Sequence, residues 1–345
     1  MGYKRLDPDD FVVSAQSITA TCWTGNVVNL TTFFTSSNQV SSISGKYYTN
    51  VFNADSGSAN RESQFQIAYG NKNGGGALAY NNAAAAGVST TSTIYGQYRS
   101  LVLEDENADF MFGNFSGSSI YVLSVERARY KESLLPGSLN LTVGKGSRTI
   151  SLTDNSKDVT VPTFYGTQRA YQIVSGSNGS AYAGNGYSVS GSYGLFLPDT
   201  STIILNAAAL DDNSGTTSLT GTNDGFGINL GTVTTANTAG NNPQKLFNAV
   251  VSGSSFGLNS EETITSDFVF VRARNSEFNY SENPSYISGS TGEVVYNYFI
   301  NNPQAYLTTV GLYNDANELL AVAKLSKPLN KNFTKEALIR VKLDF

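Results

Sequence analysis

The acidic run at residues 104–109 is the stretch whose residue types and spacing most resemble a metal site. Carboxylate and amide side chains alternate along it, as the first oxygen ligands of an EF-hand calcium loop do. Such a loop continues with a glycine and ends on a glutamate, whereas this chain has Phe110 and Ser116 at those places. The run is therefore interpreted as a solvated turn, and the sequence predicts neither a bound metal nor another cofactor.

Histidine is absent from all 345 residues, and Cys22 is the only cysteine. Without histidine, no Ser-His-Asp or Cys-His nucleophile and no histidine-based zinc or iron site can form. A pair of carboxylates hydrolyses glycosides without histidine, but no cluster of aromatic and acidic residues stands out. We therefore predict that the protein is not an enzyme, and that Cys22 is a core residue.

Two pairs of arginines each follow a short apolar run. They are Arg127 with Arg129, and Arg272 with Arg274. A guanidinium group binds a carboxylate through two parallel hydrogen bonds, so both pairs are candidates for a contact between subunits. The alternative is an exposed strand edge whose charge discourages aggregation. The repetition is compatible with an internal duplication and equally with chance.

A second set of basic residues accompanies the last predicted strand, residues 337–345. Lys331, Lys335, Arg340 and Lys342 lie there in a chain whose net charge is −5. Such a cluster suits an acidic neighbour by complementary charge, and it is equally compatible with a solvated sheet edge. These four residues complete the set of interface candidates.

Short strands are predicted along most of the chain, because apolar, aromatic and β-branched residues alternate with polar ones between turn residues. The clearest is at 337–345, where large apolar residues take every second place and end on Phe345. The predicted strands are 18–23, 27–34, 41–51, 64–69, 120–125, 138–143, 267–274, 293–300, 307–313, 318–324 and 337–345.

Helical spacing occurs in two places. Apolar residues recur every three or four positions in 94–103, and Pro243 and Gly253 frame a second amphipathic run at 243–251. A Gly- and Ala-rich stretch at 70–87 predicts an exposed loop. The expected fold is therefore mainly β: antiparallel β-sandwich or meander domains with one or two short helices.

Three regions differ in composition. Residues 1–145 and 263–345 carry the strong strand signals, whereas 146–262 is rich in Gly, Ser, Thr and Asn. We predict an N-terminal β domain, a middle domain or insertion, and a C-terminal β domain. On this hypothesis the first and last regions form one framework from which the middle region projects.

Composition also bears on partners and location. A mildly negative net charge gives no electrostatic reason to bind nucleic acid or an anionic membrane. No apolar run approaches the roughly 20 residues that a membrane-spanning helix needs, and the start MGYKRLDPDD has no apolar signal-peptide core. Synthesis in a cytoplasm is therefore expected.

Three segments carry a resemblance to a known group of proteins. They are IYGQYR at 94–99 with SIYVLSVERARYK at 119–131, VRARNSEFNYSENPS at 271–285, and TVGLYNDANELLAVAK at 309–324 with FTKEALIRVKLDF at 333–345. Together these segments resemble virion structural proteins of T-even-like contractile-tailed phages, particularly those infecting marine cyanobacteria. The middle region carries no such likeness.

The resemblance implies a non-enzymatic component of a phage virion, most plausibly of the contractile tail or baseplate. Its partners would be other virion proteins and further copies of itself, and it would carry no catalytic residues. A capsid decoration or head protein is the nearest alternative, because its composition would be similar. A carbohydrate- or receptor-binding β-sandwich is the alternative from another class, which exposed aromatics near Tyr182, Tyr187 and Tyr193 would favour.

Overall fold

The protein is mainly β, as the sequence predicts. The computed structural model describes residues 3–35, 48–74, 90–182, 186–213, 226–234, 242–281 and 283–344. Antiparallel sheets dominate this part of the chain, and four short α-helices accompany them. Most of the predicted loop at 70–87, most of the predicted strand at 41–51, and Phe345 lie outside the described residues. No helix among those described is long and apolar enough to cross a bilayer.

Strands greatly outnumber helices along the described residues. The strands are β1 (Phe11–Thr21), β2 (Asn29–Leu30), β3 (Tyr48–Phe52), β4 (Ser63–Asn71), β5 (Phe110–Phe112), β6 (Phe115–Gly117), β7 (Ser119–Val125), β8 (Ser133–Leu134), β9 (Asn140–Lys145), β10 (Arg148–Asp154), β11 (Thr163–Tyr165), β12 (Gln168–Ser177), β13 (Ser180–Ala181), β14 (Gly194–Leu197), β15 (Thr202–Asn206), β16 (Ser255–Gly257), β17 (Asn259–Ala273), β18 (Ala305–Tyr313), β19 (Leu319–Lys331) and β20 (Ala337–Asp344). The helices are α1 (Thr90–Leu103), α2 (Ala207–Asp211), α3 (Asn242–Gly253) and α4 (Asn297–Asn301), and short 3-10 turns occur at Pro8–Asp10 and Arg127–Arg129.

The chain divides into two compact units. Residues 18–262 form the large unit, and residues 1–17 together with 263–345 form the small unit. The composition boundary predicted at 145/146 does not coincide with this division. Strand β15, from the middle region, pairs with β7 from the first region, with Ile203 opposite Leu123. The chain therefore interleaves these two regions in one sheet.

A twelve-stranded sheet organises the large unit. Its main path is β2-β16-β9-β10-β12-β14-β15-β7-β4-β3, and β11 and β13 both pair with β12. The order shows why composition misleads in this region. The Gly- and Ser-rich texture belongs largely to the connecting segments, whereas β14 and β15 are buried at every position. Strands that are covered on both faces become continuous apolar runs with no alternation.

Strand β7 lies between two apolar cores. Tyr121 and Leu123 belong to the larger core, whereas Ile120 and Val122 point to the other face and belong to a smaller core. Helix α1 contributes Tyr95 to the smaller core. Helix α3 packs on the larger core through four residues. These are Leu246, Phe247, Ala249 and Val250.

Both predicted helices exist, and each is longer than expected. Helix α3 has Pro243 in its first turn, where the missing backbone N–H costs no hydrogen bond. Gly253 is its last residue rather than the residue beyond the end. A Cβ atom there would lie 1.9 Å from the Thr142 carbonyl oxygen, so only glycine lets the helix end approach β9 this closely.

The small unit contains the clearest alternation in the chain. Strands β17 and β20 pair antiparallel, with Val269 opposite Val341 and Phe270 opposite Arg340. Along β20, Ala337 and Val341 are buried while their neighbours Leu338 and Arg340 are exposed. The predicted period of two is thereby confirmed for 337–344. Strands β18 and β19 form the predicted hairpin, which turns through Asn317 in the left-handed region at φ 61°.

The strand predicted at 293–300 is wrong. Residues 297–301 form helix α4, and only an isolated bridge between Ile287 and Val294 remains from the expected strand. A short apolar run cannot be assigned to strand or helix from its period alone. Phe299 is the one apolar residue of the helix that is buried, and a single helical turn suffices to bury it.

Candidate interaction surface

The small unit exposes large apolar side chains on both faces of β1. Phe11 is 52% exposed, Val12 46% and Val13 69%. Successive strand residues point to opposite faces, so neither face of this segment is covered. Strand β19 of the β18–β19 hairpin does the same, because its successive residues Leu319 and Leu320 are 53% and 68% exposed.

Buried apolar side chains are few in the described part of the small unit. They are Val269, Ala273, Phe299, Ala337 and Val341. Among the residues that the structure describes, more than half of the exposed large apolar side chains belong to this unit, although it contains less than a third of the chain. Exposed apolar residues that follow one another along a strand, as Phe11, Val12 and Val13 do, are typical of a site of interaction with another chain.

One face of the β17–β20 pair carries three of the eight predicted interface candidates. Residues opposite each other in a sheet share a face, so the register places Arg272 beside Leu338 and Arg340 beside Phe270. Lys342 lies on the same face, opposite Phe268. Arg272, Arg340 and Lys342 are all exposed. We call Arg272, Leu338, Arg340 and Lys342 the basic face.

Much of the charge on the basic face is already paired. Arg272 forms an ion pair of 2.7 Å with Glu336, and its hydrogen bond holds the pKa of that carboxyl below its usual range. Lys342 lies 2.9 Å from Asp344. The Arg340 guanidinium stacks 5.0 Å above the Phe268 ring. Both ion pairs are solvent-exposed and contribute little to stability.

Lys331 is not an exposed contact residue, which corrects its place among the interface candidates. Its side chain is fully buried, and its ammonium group donates to the Asn275 carbonyl at 3.0 Å, to Asn279 Oδ1 at 3.0 Å and to the Asn332 carbonyl at 3.1 Å. Loss of water lowers its pKa. Lys331 therefore anchors a turn, whereas Lys335 nearby is exposed.

Arg127 and Arg129 lie in the large unit, on a 3-10 turn. Arg127 donates 2.8 Å to the Tyr130 carbonyl and stacks over that ring. Arg129 bonds the Thr24 hydroxyl and forms a 2.7 Å ion pair with Glu62. Both arginines are thus engaged within their own unit.

The second arginine pair has a different local structure. Arg272 lies within strand β17, and Arg274 follows the end of that strand with its backbone N–H donating 2.8 Å to Glu277. The two pairs therefore sit on a 3-10 turn and on a strand, in two different units. The likeness of their sequences does not extend to their structures.

A cavity of about 370 Å³ lies beside Arg129 in the large unit and is lined partly by Cys22, Trp23 and Tyr130. Cys22 is 2% exposed, as a core residue should be. Burial raises the pKa of its thiol to about 12, so the nucleophilic thiolate is absent at neutral pH. Cys22 is therefore a packing residue.

The acidic run at 104–109 makes local contacts. Asp105 accepts a 2.8 Å hydrogen bond from the Asn107 backbone, and Asp109 forms a 2.7 Å ion pair with Lys72. In the part of the chain that the structure describes, no three His, Cys, Asp or Glu residues group as metal ligands. The hydrogen bond between Asp105 and Asn107 lies within the turn that the sequence predicts.

An aromatic cluster in the small unit escaped the sequence reasoning. The Tyr286 ring lies 5.8 Å from Tyr296 and 5.5 Å from Phe299, and the Tyr296 and Tyr298 rings are 5.4 Å apart. Tyr298 is 62% exposed and Tyr296 43%. The available signal was the density of aromatics in 286–299, which the predicted strand at 293–300 obscured.

The aromatics of the middle region are not an exposed group. Tyr193 is fully buried, and its hydroxyl donates to the Phe226 carbonyl. Tyr182 and Tyr187 are half-buried. The surface that would have favoured a binding module at these three residues is therefore absent.

Comparison of the chain with protein-family models, curated proteins and solved structures found no match.

Proposed function

We propose that the protein is a non-enzymatic structural component of a phage virion, specifically of the contractile tail or baseplate, acting through protein–protein interfaces. The observation that carries this proposal is the apolar surface of the small unit, above all strand β1 with Phe11, Val12 and Val13 exposed on both faces. Neither nucleic acid nor a membrane is among the expected partners.

The physical argument rests on how little the small unit buries. Folding a segment costs about 1–2 kcal/mol of backbone entropy per residue, and burial of each large apolar side chain returns about 1.5–3 kcal/mol. In the small unit most large apolar side chains remain in water. Contact with other protein chains would cover them, and a virion supplies such contacts in fixed geometry.

The virion assignment itself is supported by the sequence segments that resemble tailed-phage structural proteins. Two of the three lie in the small unit, at 271–285 and at 309–324 with 333–345. The surface with the most exposed apolar side chains and the recognisable sequence therefore coincide. This is the pattern expected if these segments make contacts with neighbouring virion proteins.

Mass spectrometry of purified particles tests the proposal. We expect the chain among the virion proteins in a constant, multi-copy ratio to the tail proteins. Labelling with an antibody against the chain should place it on the tail or baseplate in electron micrographs. Label on the head would favour the decoration-protein alternative, and absence from purified particles would reject a virion role.

A receptor- or carbohydrate-binding role is the second candidate, and the aromatic cluster favours it. Tyrosine offers a flat apolar ring with a polar hydroxyl, which suits the apolar face and the hydroxyls of a sugar. Tyr296 and Tyr298 present two such rings side by side. The test is binding of the protein to host surface glycans, with Tyr296→Ala and Tyr298→Ala as variants and Tyr306→Ala, another exposed tyrosine, as the control. Equal binding by all three would reject the aromatic cluster as the site.

A further inference from the structure

Strand β1 is an open sheet edge that lacks the usual protection. In the described residues its one neighbour in the sheet is β17. Exposed edges normally carry charged residues or proline, which prevent pairing with another chain. The eleven residues FVVSAQSITAT contain neither, and all but the last are exposed. This edge therefore has the composition of a strand that pairs with another chain.

Strand β20 forms the opposite edge of the same sheet, whose order is β1-β17-β20. It contains no proline and exposes Leu338, which is 66% exposed, although Arg340, Lys342 and Asp344 make it a better protected edge than β1. When a protein carries two complementary edges on opposite sides of one sheet, one edge of each copy can meet the other edge of the next. Such head-to-tail contacts extend the sheet from copy to copy.

Charge favours this pairing over pairing of two β1 strands. Asp7, Asp9 and Asp10 directly precede β1, and Asp7 and Asp9 are exposed. The lead-in also carries Lys4 and Arg5, so residues 3–10 have a net charge of −1, whereas Lys335, Arg340 and Lys342 outweigh Glu336 and Asp344 to give residues 335–344 a net charge of +1. A β1–β20 contact therefore brings opposite net charges together, whereas two β1 strands repeat the same one.

We propose that β1 of one copy pairs with β20 of a second copy, so that the small units form a continuous intermolecular sheet. The partner that covers the exposed apolar edge is therefore the protein itself. Apolar residues of β1 gain cover from the neighbouring strand, and the free backbone groups of both edges become hydrogen-bonded. This pairing gives one partner of the structural protein proposed above, and it rests on that proposed function.

Light scattering after size-exclusion chromatography gives the first test. The full chain should elute as a multi-copy species, and Val13→Lys should convert it to monomer, because lysine on an edge strand opposes strand addition. Val161→Lys is the matched control, since Val161 is 71% exposed in the large unit and should leave the assembly unchanged. A monomeric wild-type protein, or equal loss of assembly in both variants, would overturn the proposal.

Cysteine cross-linking identifies the paired strands. The native Cys22 is buried and protonated, so wild-type protein should not react with a short bismaleimide. Copies with one cysteine in β1 (at Val13, Ala15 or Ser17) are mixed with copies that carry one in β20 (at Leu338, Arg340 or Lys342). Cross-links that form in mixtures of the two kinds, and not in either kind alone, support β1–β20 pairing.

The remaining outcomes of this experiment count against the proposal. Cross-links among β1-cysteine copies alone would indicate symmetric β1 pairing, and an absence of cross-links in every mixture would reject the sheet edge as the contact. Particle composition is measured separately. A chain that self-assembles through β1 and β20 but is missing from virions would leave this inference standing and reject the virion role.

Discussion

The two units of this protein use strands in opposite ways. In the large unit, strand β7 is covered on both faces, with Tyr121 and Leu123 in one core and Ile120 and Val122 in the other. In the small unit, β1 has exposed apolar residues on both faces. Both strands are rich in apolar or β-branched residues, so both favour the strand conformation. An apolar strand sequence therefore does not determine whether the residues that pack on it belong to its own chain.

The two units should differ most in the loss of unfolding free energy when one apolar residue of each is truncated to alanine. Leu123→Ala removes a fully buried side chain from the large unit and should lower the free energy of unfolding by about 2–5 kcal/mol. Leu320→Ala in the small unit, at a residue 68% exposed, should change it by less than about 0.5 kcal/mol in the monomer. Urea denaturation of both variants measures the difference. Equal losses would show that Leu320 is buried in the free protein.

Lys331 is the exception within the small unit, because it is buried and bonded. Lys331→Ala removes the donor for two backbone carbonyls and the Asn279 amide oxygen, which should cost about 1–3 kcal/mol. Lys335→Ala, four residues on and exposed, is the control and should be nearly neutral. Urea midpoints of the two variants provide the check. A neutral Lys331→Ala would mean that this lysine is solvated.

Asp154 gives a prediction about pH in the large unit. It is fully buried, accepts a 2.7 Å hydrogen bond from the Gly137 backbone, and has a pKa raised by burial. A raised pKa in the folded state means that the folded protein binds the proton more tightly than the unfolded chain. Its contribution to stability is therefore greatest below the unfolded pKa and declines as pH rises through the folded pKa, by about 1.4 kcal/mol for each unit of difference.

Asp154→Asn should remove this dependence. The stability of the wild-type protein relative to the variant should fall between acid and neutral pH, as measured by urea denaturation at a series of pH values. Glu336→Gln in the small unit is the comparison, because the pKa of Glu336 shifts in the opposite direction and its side chain is exposed. A relative stability of wild type and Asp154→Asn that does not vary with pH would contradict the prediction.

The smallest effect on stability, with a large effect on assembly, is expected at the basic residues of the small unit. Lys335→Gln, Arg340→Gln and Lys342→Gln together should leave the unfolding transition nearly unchanged, because all three side chains are exposed. Incorporation into particles should nevertheless fall, and more so at high salt. Arg127→Gln, Lys131→Gln and Lys157→Gln together remove three exposed charges from the large unit and are the matched control. Normal incorporation of the folded triple variant would remove this surface from the contact.

Several elements of the fold could be predicted because their signals are local. The alternation at 337–344 follows from the two-residue period of a strand, and the bounds of α3 follow from Pro243 and Gly253. The strand at 293–300 failed because a short apolar run has no period of its own. The predicted boundary at 145/146 separates strands of one sheet, because β7 and β15 are distant in sequence and adjacent in the sheet.

The candidate surface was predictable only in part. Arg272, Arg340 and Lys342 were expected to be exposed strand residues, and they share one face. The repeated arginine pairs were compatible with a duplication and equally with chance, and Arg127 and Arg129 sit on a 3-10 turn with partners in their own unit. The partners of Arg129, Thr24 and Glu62, come from distant sequence positions, which no local pattern identifies.

The sequence by itself determined the mainly β character of the chain and the chemistry that a chain without histidine cannot perform. These properties depend on composition and on short-range periods, which are present before the chain folds. Tertiary structure alone decided that Lys331 is buried, that Tyr193 lies in a core and that β1 remains an open edge. Burial depends on which distant segments pack against a residue, and those contacts form only when the strands pair in the folded chain.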